Sequence, residues 1–295
     1  MCGIAGLFLK DPKLEPELGS LLAGMLSPLS DRGPDSAGFA VYGPEIPGQV
    51  KITVRAIDQN FDSVLAAVKD LSGKIPDHHI RDTHCTLIVP IESEAAVIDR
   101  IRNVNGVTLV GYGRRMELFK EVGLPDDVAK RFKLADMRGS HAIGHTRMAT
   151  ESAVTTKGAH PFTTGPDQCL VHNGSLSNHN AVRRDLISHG LQFETENDSE
   201  VAAGFLSWKL HQGRSLSEAM GDSLDTLDGF YTFVIGTGSG FGVLRDPIAC
   251  KPAVMAETDQ WVAFGTEYRA LVDLPAIDKA RVWEPDPARV YFWER

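Results

Sequence analysis

Cysteine is scarce and scattered: the 295 residues contain only Cys2, Cys85, Cys169 and Cys250, and none belongs to a C-x-x-C pair. That pattern excludes a disulfide-stapled scaffold and a zinc ribbon, and it fits a reducing, cytoplasmic setting. No apolar run approaches the roughly 18 residues that a membrane-spanning helix requires. The opening Met-Cys-Gly-Ile-Ala-Gly-Leu-Phe-Leu has no basic leader and meets charge at Lys10, which argues against a secretory signal. A soluble chain is expected. No cluster of Lys and Arg interleaves with aromatics, and a formal net charge of -9 repels phosphate, so nucleic acid is a poor partner. A Walker A sequence is missing. The glycine-rich stretch from Gly236 to Gly242 offers no G-x-G-x-x-G register between a strand and a helix, and a hairpin loop is the expected reading. His145 and His160 lack partner carboxylates at ligand spacing, so they are read as structural histidines and no metal is expected.

What is present is ample apolar material: 42% of the residues are hydrophobic, enough for one large domain or two modest ones. Ile4 to Leu9 and Ala37 to Tyr42 read as strands flanking a helix that carries Leu18, Leu21, Leu22 and Met25. Residues 44–139 differ in texture. Phe61, Val64, Leu65, Val68 and Leu71 repeat at helical spacing, Cys85 to Ile91 and Val107 to Tyr112 are strand-like, and Ala95 to Ile101 is helical. An inserted α/β lobe within a single domain spanning 1–295 is expected. Helices follow at Ser177 to His189 and Ser199 to Gln212, each closed by a glycine, and at Leu216 to Leu227. The stretches 230–235, 241–244, 253–256 and 261–265 are short strands, read as one antiparallel meander. Two layers of antiparallel strand with helices outside is the packing these elements suggest, an α+β fold.

Some residues suggest chemistry. Removal of the initiator methionine would give Cys2 a free α-amine, placing a nucleophile and a base on one residue. Taken alone, Cys2 reads first as a small buried hydrophobe starting a strand, and by itself is weak evidence of chemistry. Gln168-Cys-Leu-Val-His-Asn-Gly is an apolar strand ending in Asn173-Gly174, followed by a helical pattern rather than a partner strand. An Asn side-chain amide beside a Gly N–H supplies two donors for an oxyanion, against the hairpin turn that Asn-Gly otherwise signals. Arg147 can grip a carboxylate bidentately and Asp198 can hold an ammonium, a pair suited to the head of a free amino acid. Asp198 is also well placed to cap a helix beginning at Ser199. Arg32-Gly-Pro-Asp-Ser-Ala-Gly38 reads locally as a turn into a strand.

Cys2-Gly-Ile, Arg32-Gly-Pro-Asp-Ser-Ala-Gly, Gly144-His-Thr-Arg-Met-Ala-Thr, His160-Pro, His172-Asn-Gly and Asn197-Asp-Ser-Glu, in that order, resemble the class II glutamine amidotransferases over residues 2 to about 271. The resemblance implies the N-terminal nucleophile hydrolase fold, a four-layer αββα sandwich. It implies that Cys2 attacks the glutamine side-chain amide, that its own amine shuttles the proton, and that Asn173 and the Gly174 N–H hold the oxyanion. It further implies that Arg147 binds the substrate carboxylate, Asp198 its ammonium, that Arg32 orients the nucleophile, and that Thr150 and His160 wall the pocket. Two departures stand out: Met148 replaces an aromatic found in many relatives, and the gap from Gly38 to Gly144 is long.

The opening residues and the long insert resemble free-standing amidotransferase subunits of glutamate-synthase-like complexes, N-methylglutamate synthase included. That likeness implies a hetero-oligomer in which FMN and an iron–sulfur cluster reside on partner subunits and no cofactor on this chain. The competing expectation is a non-catalytic structural or regulatory subunit that keeps Met1 and thereby buries the amine in a peptide bond.

Overall fold

The computed structural model describes residues 2–149 and 154–295. The chain opens with β1 (Gly3–Leu9), α1 (Leu18–Leu26) and β2 (Ser36–Tyr42). Next come β3 (Gln49–Ala56), α2 (Asp62–Ser72), β4 (Asp77–Arg81), β5 (His84–Pro90), α3 (Glu94–Arg102) and β6 (Val107–Gly113). β7 (Met116–Val122), α4 (Pro125–Arg131), β8 (His141–Arg147), β9 (Phe162–Gly165) and β10 (Gln168–Leu176) lead into α5 (His179–Ser188), α6 (Asp198–His211) and α7 (Leu216–Thr226). The remainder is strand: β11 (Gly229–Gly236), β12 (Gly240–Arg245), β13 (Val254–Glu257), β14 (Trp261–Gly265), β15 (Arg281–Trp283) and β16 (Val290–Glu294).

These strands form a seven-stranded sheet in the order β15-β13-β14-β1-β8-β2-β7, a five-stranded sheet β16-β12-β11-β10-β9 and a four-stranded sheet β4-β5-β3-β6. Every residue of β1 is buried, and its side chains alternate between two cores. Ile4 and Phe8 join Ile143 in meeting Val171, Val234 and Phe241 of the five-stranded sheet. Ala5, Leu7 and Leu9 face the other way, onto Leu18, Leu22 and Met25 of α1. The far face of the five-stranded sheet is covered likewise, where Leu170, Phe233 and Leu244 pack with Leu186, Val201, Phe205 and Met220 from the three C-terminal helices. Truncating a side chain such as Leu7 in these packed layers costs about 2–5 kcal/mol.

Within the span 44–139, β3 to β6 and helices α2 and α3 make a separate unit around Ile52, Val54, Val64, Val68, Leu87 and Ile101. β7 instead pairs with β2 at the edge of the seven-stranded sheet, and Val128 of α4 joins the core beside α1. Ion pairs pin the unit to that edge, among them Lys51 with Glu117 at 3.2 Å and Arg55 with Glu121 at 3.0 Å.

The stretch 230–265 is not one meander. β11 and β12 form a hairpin in the five-stranded sheet, whereas β13 and β14 form another in the seven-stranded sheet. Asp246 causes the break by accepting the N–H groups of Ile248 and Ala249 on one oxygen, a local turn that carries the chain off the sheet.

Candidate active site

Cys2 lies half-buried immediately before β1, with Sγ 3.9 Å from the carbonyl of Met148. Its own carbonyl is gripped from two sides, accepting from Arg32 Nε at 3.2 Å and from Asn173 Nδ2 at 3.3 Å. Arg32 is fixed in turn by an ion pair with Glu267. Gly33 is required next to it, because a Cβ there would stand 2.3 Å from the main-chain carbon of Thr146. The turn therefore lies directly on the end of β8. Asp35 completes the brace, donating its N–H to Arg147 O at 3.1 Å and accepting from Ala149 N at 2.7 Å.

Arg147 ends β8 opposite Ser36, with its side chain buried, one residue from the carbonyl that faces Cys2 Sγ. Asn173 and Gly174 lie within β10 rather than at a turn, since the strand runs on to Leu176 and pairs with β11 throughout. Gly174 has φ +155°, and a Cβ at that position would sit 2.0 Å from Phe230 O. No other residue fits without moving β11.

Asp198 is not the cap of α6. Asn197 caps it, accepting Ser199 N at 2.8 Å, and Asp198 is the first helical residue. Its carboxylate is thereby freed for other work: Oδ2 accepts Leu176 N at 2.9 Å, and Oδ1 lies 3.3 Å from Ser199 Oγ. His160 reaches the same hydroxyl at 2.8 Å. Burial pushes His145 down to about 3 and holds His160 and His172 below the ordinary imidazole range. Thr150, expected in the pocket wall, and Met1 both fall outside the described residues.

The fold thus joins Cys2, Arg32 and Asn173 directly and ties Asp198 to the strand that carries Asn173. No group of three or more His, Cys, Asp or Glu is placed to hold a metal among the described residues. A separate cavity of about 880 Å³ opens where the edges of β6, β7 and β9 converge, with Tyr112, Lys120 and Phe162 in its walls.

Over 298 aligned residues the chain is 56% identical to the glutamine amidotransferase-like protein GlxB of Rhizobium meliloti, covering 100% of this chain and 98% of that one. The chain belongs to the glutamine amidotransferase family. A relative of this amidotransferase from Methanothermobacter thermautotrophicus is 34% identical over 99% of each chain. A family model described as a glutamine amidotransferase domain matches residues 145–273. The fold of glutamine phosphoribosylpyrophosphate amidotransferase from B. subtilis superimposes with a TM-score of 0.65 at 20% identity, over 99% of this chain and 47% of that one. Taken together, these likenesses place the amidotransferase in the class II type.

Several contributors to the site were missed in the amidotransferase sequence. Asp35, His145, His172 and Ser199 all sit inside the motifs that carried the resemblance, so their position was a usable signal. Glu267 had none: it meets Arg32 from 235 residues away.

Proposed function

We propose that this amidotransferase is an active glutaminase that releases ammonia from glutamine through a thioester on Cys2. The observation that carries the reading is the double grip on the Cys2 carbonyl, which fixes the nucleophile residue beside the amide of Asn173. With Met1 removed, the α-amine takes the thiol proton as sulfur attacks the glutamine side-chain carbonyl carbon. Asn173 Nδ2 and the Gly174 N–H stabilise the oxyanion that forms. The C–N bond breaks, the amine returns its proton to the departing ammonia, and a γ-glutamyl thioester remains. Water, deprotonated by the same amine, then attacks that thioester to give glutamate and the free thiol. Arg147 binds the substrate carboxylate and Asp198 the ammonium, with Arg32 orienting the nucleophile and Thr150 and His160 walling the pocket.

Three apolar cores, one between the two larger sheets and one outside each, support reading the architecture as a four-layer αββα sandwich. We further propose that the ammonia is delivered to a glutamate-synthase-like partner subunit, such as that of N-methylglutamate synthase, in a cytoplasmic hetero-oligomer. FMN and the iron–sulfur cluster belong to that partner in this reading. The likeness of the opening residues to free-standing amidotransferase subunits supports it.

Intact mass together with glutamate release, on the isolated chain and with its partner subunits, tests the proposal. A chain that has lost Met1 yet neither hydrolyses glutamine nor acquires a glutamyl adduct would overturn it. Retention of Met1 with unchanged synthase activity would point to the non-catalytic role instead.

A further inference from the structure

Three side chains converge on the buried hydroxyl of Ser199. His160 Nε2 and His172 Nδ1 each lie 2.8 Å from Oγ, and Asp198 Oδ1 lies 3.3 Å away. A hydroxyl has one proton to give and two lone pairs to receive. The opposite ring nitrogens, His160 Nδ1 and His172 Nε2, are buried without a hydrogen-bond partner among the described residues. A buried N–H lacking an acceptor is the rarest kind of orphan, so the ring protons belong on the serine side. Both histidines then donate to Ser199, both lone pairs are used, and the hydroxyl proton is left for Asp198. Burial, which disfavours the imidazolium form of both rings, agrees with one proton on each.

We propose that Ser199 is a positioning residue for glutamine binding, which locks the tautomers of His160 and His172 and aims Asp198 at the α-ammonium of the substrate. The inference rests on the role given to Asp198 above. His172 Nδ1 lies 3.8 Å from Asp198 Oδ1, near enough that a protonated ring would itself become the cation on that carboxylate. Held neutral by donation to Ser199, it leaves the negative charge to the ligand. The other charges facing the two rings are Lys251, Lys120 and Arg147. The same cluster spans the elements that carry the site. His145 Nε2 donates to the carbonyl of His172 at 3.1 Å, and its ring stacks on His160 at 4.1 Å between centroids. Through Ser199, α6 with Asp198 is therefore registered against β10 with Asn173 and β8 with Arg147.

Long-range proton–nitrogen NMR of the ¹⁵N-labelled full chain reads the tautomers directly, without turnover. His172 should carry its proton on Nδ1 and His160 on Nε2. Ser199→Ala should abolish that state and raise the KM for glutamine about tenfold or more, with kcat nearly unchanged, because a hydrogen bond orienting a charged group is lost in binding rather than in chemistry. Ser199→Thr keeps the oxygen and should restore both readouts. Ser199→Cys, a weaker acceptor of similar size, should fall between and serves if the alanine variant folds poorly. A proton on His172 Nε2 in the wild type overturns the proposal, as does a tautomer switch in Ser199→Ala with no change in glutamine affinity. If the wild type does not turn glutamine over, the glutaminase reading fails separately, and calorimetric binding of glutamine with the NMR readout still decides the role of Ser199.

Discussion

The amide of Asn173 donates to the main-chain carbonyl of Cys2 across 3.3 Å, linking residues 171 positions apart in sequence. β1 belongs to the seven-stranded sheet and β10 to the five-stranded one, both as interior strands, so this bond runs from one layer to the other. It places the proposed oxyanion donor beside the residue proposed as nucleophile.

Cys2→Ala should abolish glutamine hydrolysis while leaving thermal unfolding within a few degrees of the wild type, since Cys2 is only half-buried and the hydrogen bond of its thiol to Met148 O among the described residues is long, at 3.9 Å. Glutamate release and a melting curve on the same preparation check this. Hydrolysis that persists in the variant would remove Cys2 from the mechanism.

Asn173→Ala should slow hydrolysis on the order of 10²–10³, the usual effect of deleting one oxyanion donor. Gly174→Ala acts differently: its methyl group would enter the space held by Phe230 O, 2.0 Å away. A loss of about 2 kcal/mol or more in denaturant unfolding is expected. An alanine variant of normal stability would show that β10 and β11 are less closely apposed.

Arg32→Lys keeps the charge but not the guanidinium fork that spans the Cys2 carbonyl and Glu267. Expected is a fall of about tenfold in kcat with little change in the KM for glutamine. A change confined to KM would assign Arg32 to substrate binding instead.

Acid should destabilise the fold well before the carboxylates titrate. Burial pushes His84, His141 and His145 each down to about 3, whereas an unfolded chain binds protons near 6.5. Because the folded values are depressed, this stability is fully present above about pH 6.5 and is lost as pH falls towards 3. The slope reaches about 1.4 kcal/mol per pH unit for each proton taken up on unfolding. Urea midpoints measured from pH 7.5 to 4.5 test it, and a flat profile between 6.5 and 5 would contradict neutral buried rings.

Glu117 ties the β3–β6 unit to the main sheet through Lys51 and His79. Burial alone would raise its pKa, but His79 and Lys51 outweigh that and hold the carboxyl at about 2. Its contribution is therefore present above the usual carboxylate range near 4.3 and lost as pH falls towards 2. Glu117→Gln should cost about 3 kcal/mol at neutral pH, the penalty of leaving Lys51 buried and unpaired. Hydrogen exchange should quicken first in β3, and uniform exchange across the chain would refute the pinning role.

Much of this organisation was legible beforehand. The short apolar run of β1, the helical spacing of α2 and the glycine stops at Gly190 and Gly213, both at positive φ, depend on neighbours a few residues away. The motif residues Cys2, Arg32, Asn173 and Asp198 were legible for the same reason: each carries its chemistry in its side chain and its immediate flank. The split of β11–β12 from β13–β14 was not, because strand periodicity says which face is buried and nothing about which sheet is joined. The cap of α6 went to Asn197 over Asp198 because one residue of backbone phase, invisible in composition, decided which side chain turned back onto Ser199 N.

By itself, the sequence determined the chemical inventory and its order: a cysteine at position 2, an Asn-Gly pair in an apolar strand, an arginine and an aspartate suited to an amino-acid head, and an insert between Gly38 and Gly144. Only the tertiary structure decided that Arg32 answers to Glu267, that Asn173 reaches Cys2, and that Ser199 gathers two histidines beside Asp198. The physical reason is that hydrogen bonds and ion pairs require approach within a few ångströms, and the pairing of β1 with β8, with the sheet of β10 packed against theirs, creates that proximity between residues that share no local signal.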